Sequence, residues 1–171
     1  YGLNQGLYTT MTYNSGYLTG PVGRAGHGGG DWGYEAGPMA LDIAVLQEKY
    51  GANETHNSGA NTYRLPGSNQ SGTYWESIWD TGGQDTIRYD GSRNAVIDLR
   101  AATLEDEKGG GGFVSAANGI AGGFTIANGV VIERGVGGRP AQRARRGARR
   151  GAGSRRGSRG GGRRRGGRSG P

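Results

Sequence analysis

Apolar positions change their spacing twice along this chain. Over residues 1–37 they are scattered among Gly, Tyr and Thr, with one alternating piece at residues 7–13. That predicts a strand or turn followed by a long loop, loosest at Gly28, Gly29 and Gly30. From Pro38 the spacing becomes helical: Met39, Ile43, Leu46 and Tyr50 fall at i, i+4, i+7 and i+11. Pro38 suits the first helical position, Lys49 the last turn and Gly51 the residue just past the end. Leu41 and Val45 widen the apolar face, so the helix is expected to pack over more than a narrow seam. After Asn53 the period drops to two. Short runs at residues 62–65, 77–79, 86–89, 95–99, 112–114, 124–126 and 130–133 are separated by Asn, Gly, Asp and Ser, as in small all-β modules. Residues 105–108, followed by four glycines, read as an exposed loop, and order is expected to fade from Gly137. The pattern predicts an α+β chain: one helix, then a mostly β module, then an unstructured tail.

Composition narrows this picture. Gly is 39 of 171 residues and Leu, Ile, Val and Phe are sparse, so the core must be small and fed by nine Tyr and three Trp. The net charge of +7 averages two unlike pieces. Residues 1–138 carry eight Lys or Arg against fourteen Asp or Glu, a net −6, and residues 139–171 add thirteen Arg and no acid. That tail has no Val, Ile, Leu, Phe, Tyr or Trp, so it cannot bury apolar surface to offset chain entropy and is expected to be disordered. With no cysteine, neither a disulfide framework nor a thiolate metal site is available, although a metal ion can staple a small domain instead. The start, Tyr1-Gly2-Leu3-Asn4-Gln5, has no initiator Met and no leader-like apolar region, and reads as a fragment. No apolar run approaches the ~20 residues of a membrane span.

The stretch Trp79-Asp80-Thr81-Gly82-Gly83-Gln84-Asp85-Thr86 carries the most chemistry. Two carboxylates enclose a Gly-Gly pair that permits positive φ, so Asp80, Asp85 and the carbonyls of Gly82 and Gly83 supply part of the oxygen shell that Ca²⁺ prefers. Taken alone, Asp-x-Gly-Gly is equally the chemistry of a turn between strands.

Three stretches together resemble the serralysin-type secreted zinc metalloproteases, the metzincin branch with a calcium-binding β-roll behind the protease domain. Tyr8-Thr9-Thr10-Met11-Thr12-Tyr13 is similar to the Met-turn of that family, in which a Met lies beneath the zinc and a Tyr two residues later reaches towards it. Residues 38–53, ending in Tyr50-Gly51-Ala52-Asn53, resemble the helix that closes the catalytic domain. The Asp80–Asp85 stretch and residues 130–138 are like its first calcium-binding segments. The resemblance implies a division into residues 1–53, the end of a catalytic domain; 54–138, part of a calcium-binding β module of β-roll or β-sandwich type; and 139–171, a basic tail. For the first calcium site it implies Asp80, Gly82, Gly83, Asp85 and Glu133, with Asn57, Gly59 and Asn61 standing where the family has Arg-x-Gly-x-Thr. It implies a structural role for Met11, zinc proximity for Tyr13, secretion, and protein substrates for the intact protease.

Two family features are missing. The zinc motif His-Glu-x-x-His-x-x-Gly-x-x-His is absent, and the two histidines, His27 and His56, lie too far apart for i, i+4 ligation. This chain alone is therefore not expected to hydrolyse peptides. The glycine-rich nonapeptide Gly-Gly-x-Gly-x-Asp of the β-roll is absent too, and the arginine tail stands where it would begin. Besides a serralysin-like fragment, two readings stay open: a non-catalytic secreted calcium-binding β module, and a nucleic-acid-binding protein driven by its tail through counterion release. The net-acidic folded part argues against the last.

The tail also fits a shifted reading frame, because Gly-Gly-Asp written GGC-GGC-GAC yields CGG and CGA, both arginine, from the third base. Translating the neighbouring frames of the coding DNA beyond codon 138 is expected to recover Gly-Gly-x-Gly-x-Asp; if neither frame does, the tail is a genuine basic arm.

Overall fold

The computed structural model describes residues 2–14, 31–138 and 143–145. These contain one helix, α1 (Ala40–Tyr50), and eight short strands: β1 (Thr62–Arg64), β2 (Trp75–Ile78), β3 (Thr86–Arg88), β4 (Ala95–Asp98), β5 (Ser115–Ala117), β6 (Gly123–Ile126), β7 (Arg134–Val136) and β8 (Arg143–Arg145). The α+β content expected from the apolar spacing is present. His27 and Gly28 to Gly30 lie outside the described residues, as does most of the basic tail.

The start of α1 is held by one side chain. Asp42, in its first turn, accepts the Met39 N–H at 2.9 Å and the Thr10 N–H at 2.8 Å, and its other oxygen accepts the Thr9 hydroxyl at 2.6 Å. The turns at residues 5–13 are thereby tied to the helix N-terminus, where a carboxylate is favoured by unpaired N–H groups and the helix dipole. Gly51 ends the helix at φ +86°, with its N–H on the Gln47 carbonyl. The expected wide buried face is not realised. Met39 and Ala40 are fully buried and Ile43 packs against the core, but Val45, Leu46 and Tyr50 are 62, 46 and 74 % exposed. The reason is geometric: α1 packs on the β part through Met39, Ala40 and Ile43, and a groove beside β2 leaves Leu46 and Tyr50 uncovered.

The strands form two sheets. One is all parallel, in the order β1-β3-β7; the other runs β2-β6-β5-β4-β8, with β5 antiparallel to both neighbours and the remaining pairs parallel. From β1 to β4 the chain crosses to the opposite sheet at every step, which produces parallel neighbours without hairpins. Between the sheets lies the main core, built from Ile78, Ile87, Tyr89, Ile97, Leu99, Phe124, Ile126 and Ile132. Burying each such side chain contributes roughly 1.5–3 kcal/mol. On the far face of the five-stranded sheet, Leu7, Met39, Trp75, Val114 and Ala116 form a second cluster, so the N-terminal turns and the helix start serve as the lid of that sheet.

Three strand boundaries differ from expectation. Residues 112–114 are not a strand: Gly112 has φ +104° and its N–H closes a turn on the Gly109 carbonyl, so β5 begins at Ser115. At residues 130–133 the alternation is real, with Val130 and Ile132 buried and Val131 exposed, but ladder pairing starts only at Arg134, opposite Thr86. In the tail, expected to lack order, Arg143–Arg145 pair in parallel with Val96, Ile97 and Asp98. An edge strand needs backbone partners rather than apolar side chains, so a composition that rules out a core does not rule out pairing.

Burial pushes the Asp42 carboxyl up, but the hydrogen bonds from Thr9, Thr10 and Met39 outweigh it and the net direction is down. A depressed carboxylate contributes stability that is complete above its unfolded pKa, about 3.9, and is lost as pH falls through the folded value. Asp42→Asn is therefore expected to cost about 1–2 kcal/mol at pH 7, with the difference from the parent chain shrinking below about pH 4 in thermal melts; a constant difference down to pH 2 would refute the charge's role.

Candidate metal centre

Three segments far apart in sequence meet at one end of the parallel sheet: residues 56–61 before β1, residues 80–85 between β2 and β3, and Glu133 before β7. Backbone pairing sets the junction. The Thr81 N–H donates to the His56 carbonyl at 3.1 Å, the Thr86 N–H to the Asn61 carbonyl at 2.9 Å, and the Arg134 N–H to the Asp85 carbonyl at 3.0 Å. Gly83 lets the first two segments touch. A Cβ there would lie 2.2 Å from the Gly59 carbonyl oxygen, and its φ of +133° suits glycine alone. Gly82, at φ +151°, turns with it but faces open space.

The two aspartates inside this junction are buried, Asp80 at 5 % and Asp85 at 1 % exposure. Asp80 Oδ1 accepts the Gly82 N–H at 2.9 Å, closing the turn on itself, and Oδ2 accepts the Tyr63 hydroxyl at 2.5 Å. Asp85 Oδ1 accepts the Asn61 N–H at 2.8 Å. Its Oδ2 is buried and, among the described residues, finds no donor. Glu133 is exposed and points one oxygen at the Asp85 N–H, 2.8 Å away.

Electrostatics make the arrangement costly without a cation. Burial pushes the Asp85 carboxyl up; the Asn61 N–H pulls it down, and the charges of Asp80 and Glu133 add to the upward push, which prevails. Tyr63 is pushed up as well, by burial first and then by donating its proton to Asp80. The Asn61 side-chain amide also reaches Asp80. Its Nδ2 lies 2.9 Å from the Asn57 carbonyl, 2.9 Å from the Gly59 carbonyl and 3.4 Å from Asp80 Oδ2. Three oxygens thus converge on the Asn61 amide nitrogen, and in the same junction Asp85 keeps one buried oxygen without a donor among the described residues; carboxylate and carbonyl oxygens are the donor chemistry of a hard cation such as Ca²⁺. The acids do not close into a shell by themselves: among the described residues, no three acid or imidazole groups come together as the ligands of a single ion.

All eight residues singled out for calcium therefore share this junction. Tyr63 belongs to it too, and nothing in the β1 pattern distinguishes its hydroxyl from that of any other strand tyrosine. Met11 and Tyr13 lie apart, in the N-terminal turns, at 86 and 111 % exposure. Among the described residues, no group of three acid or imidazole side chains lies beside them to form a zinc site.

Residues 47–145 match the family model described as Peptidase M10 serralysin C terminal. The chain is 35 % identical over 122 residues to serralysin B of Dickeya chrysanthemi, covering 64 % of this chain and 23 % of that protein. It is 33 % identical over 120 residues to metallopeptidase AprA of Pseudomonas marginalis, covering 64 % and 23 %. To serralysin of Proteus mirabilis it is 32 % identical over 142 residues, covering 77 % and 25 %. The chain spans about a quarter of the length of the curated relatives it matches. Among the described residues, no helix is long and apolar enough to cross a membrane.

The two glycines of the turn are expected to respond differently. Gly83→Ala drives a Cβ into the Gly59 carbonyl and strains φ, at about 3 kcal/mol, whereas Gly82→Ala meets only the strain, at about 1 kcal/mol. Urea unfolding of the two variants measures this, and equal losses would mean that the contact between the two loops does not matter.

Proposed function

Because the chain belongs to the serralysin C-terminal family of M10 peptidases, we propose that it is the calcium-binding part of a secreted, serralysin-like zinc metalloendopeptidase that acts on protein substrates. The observation that carries the calcium reading is the buried Asp80–Asp85 pair, with Asp85 Oδ2 unpartnered among the described residues and the Asn57 and Gly59 carbonyls gathered by Asn61 in the same junction. Asp80, Asp85 and the loop carbonyls of residues 57–59 and 82–83 would hold the ion. When bound, Ca²⁺ supplies the positive charge that two desolvated carboxylates lack and cross-links three segments that are distant in sequence.

The residues around it do the positioning. Asn61 carries both jobs, its N–H orienting Asp85 and its side chain bridging the 57–59 carbonyls to Asp80. Tyr63 orients Asp80 from below, and Glu133 fixes the Asp85 backbone and brings a third negative charge to the rim. In a module with a small core and no disulfide, an ion held this way adds its binding free energy to folding. Met11 and Tyr13 are assigned their zinc-side roles by family likeness only, and no catalytic step is derived through residues of this chain. A calcium-binding β module that never carried a protease half would keep the same clasp; a His-Glu-x-x-His motif upstream on the same polypeptide separates the two.

Asp80→Ala and Asp85→Ala are expected to weaken Ca²⁺ binding by at least about tenfold and to abolish Ca²⁺-dependent thermal stabilisation. Asp90→Ala, which removes exposed pairs to Arg64 and Arg88, should leave Ca²⁺ affinity unchanged and cost no more than about 1 kcal/mol. The raised Asp85 carboxyl adds a sign test. A carboxyl raised in the folded state destabilises it increasingly as pH climbs from about 4 through the folded value, and the penalty is complete beyond that. In chelator at pH 7, Asp85→Asn should therefore raise the melting temperature, and in excess Ca²⁺ it should lower it. Calorimetric titration and melts in both buffers decide; indistinguishable behaviour of all three positions would leave only a general charge effect.

A further inference from the structure

The edge of the five-stranded sheet beside α1 is only half covered. In β2, residues 74, 76 and 78 turn their backbone groups towards β6, as the bonds from the Gly123 N–H to the Tyr74 carbonyl and from the Ala127 N–H to the Ile78 carbonyl establish. Trp75 and Ser77 therefore face outward. Trp75 is met there: its N–H donates to the Tyr34 carbonyl and its carbonyl accepts the Ala36 N–H, both at 2.9 Å, with Glu35 opposite it in parallel register. One step further the ladder stops. The donor that would serve the Ser77 carbonyl belongs to residue 38, which is proline and has no N–H. Among the described residues neither backbone group of Ser77 has a partner, and its buried Oγ has none either.

The open position looks into a groove of about 590 Å³ between β2, α1 and the loop after β2. Its apolar walls are Ile43, Leu46, Tyr50, Tyr63, Ile78 and Trp79, and among the described residues Glu76 is the one carboxylate lining it. Leu46 and Tyr50 among them belong to the helix face that the fold leaves exposed. We propose that this groove takes an extended peptide segment that continues the sheet at Ser77, with apolar side chains in the slot between α1 and Trp79 and a Lys or Arg beside Glu76. A guest strand supplies a carbonyl to the Ser77 N–H and an N–H to its carbonyl at once, which a helix or an apolar small molecule cannot do. Charge complementarity selects the basic residue. Glu76 is pushed up by desolvation, no lysine or arginine among the described residues lines the groove, and residues 1–138 carry a net −6. Tyr63 is shared with the calcium clasp, but Ser77, Leu46 and Glu76, on which strand pairing and charge selection turn, lie outside it.

The test uses the full chain, isotope-labelled, and a set of capped pentapeptides Thr-Φ-Lys-Φ-Thr in which Φ is Val, Ile, Leu or Phe. At least one is expected to give saturable shifts at the Ser77 amide and the Trp79 indole, and to slow Ser77 amide exchange by about tenfold or more. N-methylation of its central amides, which removes strand donors and keeps the apolar surface, should weaken binding by at least about tenfold, as should Leu46→Asp and Glu76→Lys in the protein. Leu46 and Glu76 are exposed, so both variants keep the fold. Absence of saturable binding by every peptide overturns the proposal. So does binding indifferent to N-methylation, which would make the groove an apolar patch without strand pairing, or binding unchanged in Leu46→Asp.

Discussion

Two like charges held out of water at one loop junction are the constraint on which this molecule is organised. Asp80 and Asp85 are among the most buried side chains of a chain whose apolar core is small. Burial and the charges of Asp80 and Glu133 oppose the ionised form of Asp85. What holds the two aspartates is a set of N–H groups and one tyrosine hydroxyl, each fixed by the strand register that follows it. Registering β1 against β3 places Asn61 over Asp85, and registering β3 against β7 places Glu133 beside it. The site is thus a product of the parallel sheet, and an ion bound there would in turn lock that sheet's three strands in register.

The parallel winding explains why so little apolar material suffices. From β1 to β4 the strands cross from sheet to sheet at each step and, with β6, stack Ile78, Ile87, Ile97 and Ile126 across one layer, so short strands of three or four residues share a continuous core. The same winding leaves edges. At β4 the edge is met by Arg143–Arg145. At β2 it is met by residues 34–36 and then abandoned where Pro38 begins the approach to α1. The exposed helix face and the Ser77 backbone, unpaired among the described residues, are two aspects of one departure, since the residues that would have continued the strand go on to form the helix.

By themselves, the residues determined what depends on local spacing and local chemistry. The helix ending at Tyr50, the strands near Thr62, Thr86, Ala95 and Phe124, and the Asp-x-Gly-Gly-x-Asp turn are all legible, because 3.6-residue and 2-residue periods and glycine's access to positive φ act within a few residues. Only the tertiary structure decided which face of α1 is covered, that residues 112–114 turn rather than extend, that Arg143–Arg145 find an edge, and that Tyr63 rather than a fourth acid completes the surroundings of Asp80. Each of those outcomes depends on a partner tens of residues away, through a backbone donor, a close Cα approach or a shared carboxylate, and such partners leave no periodic trace in the segment that receives them.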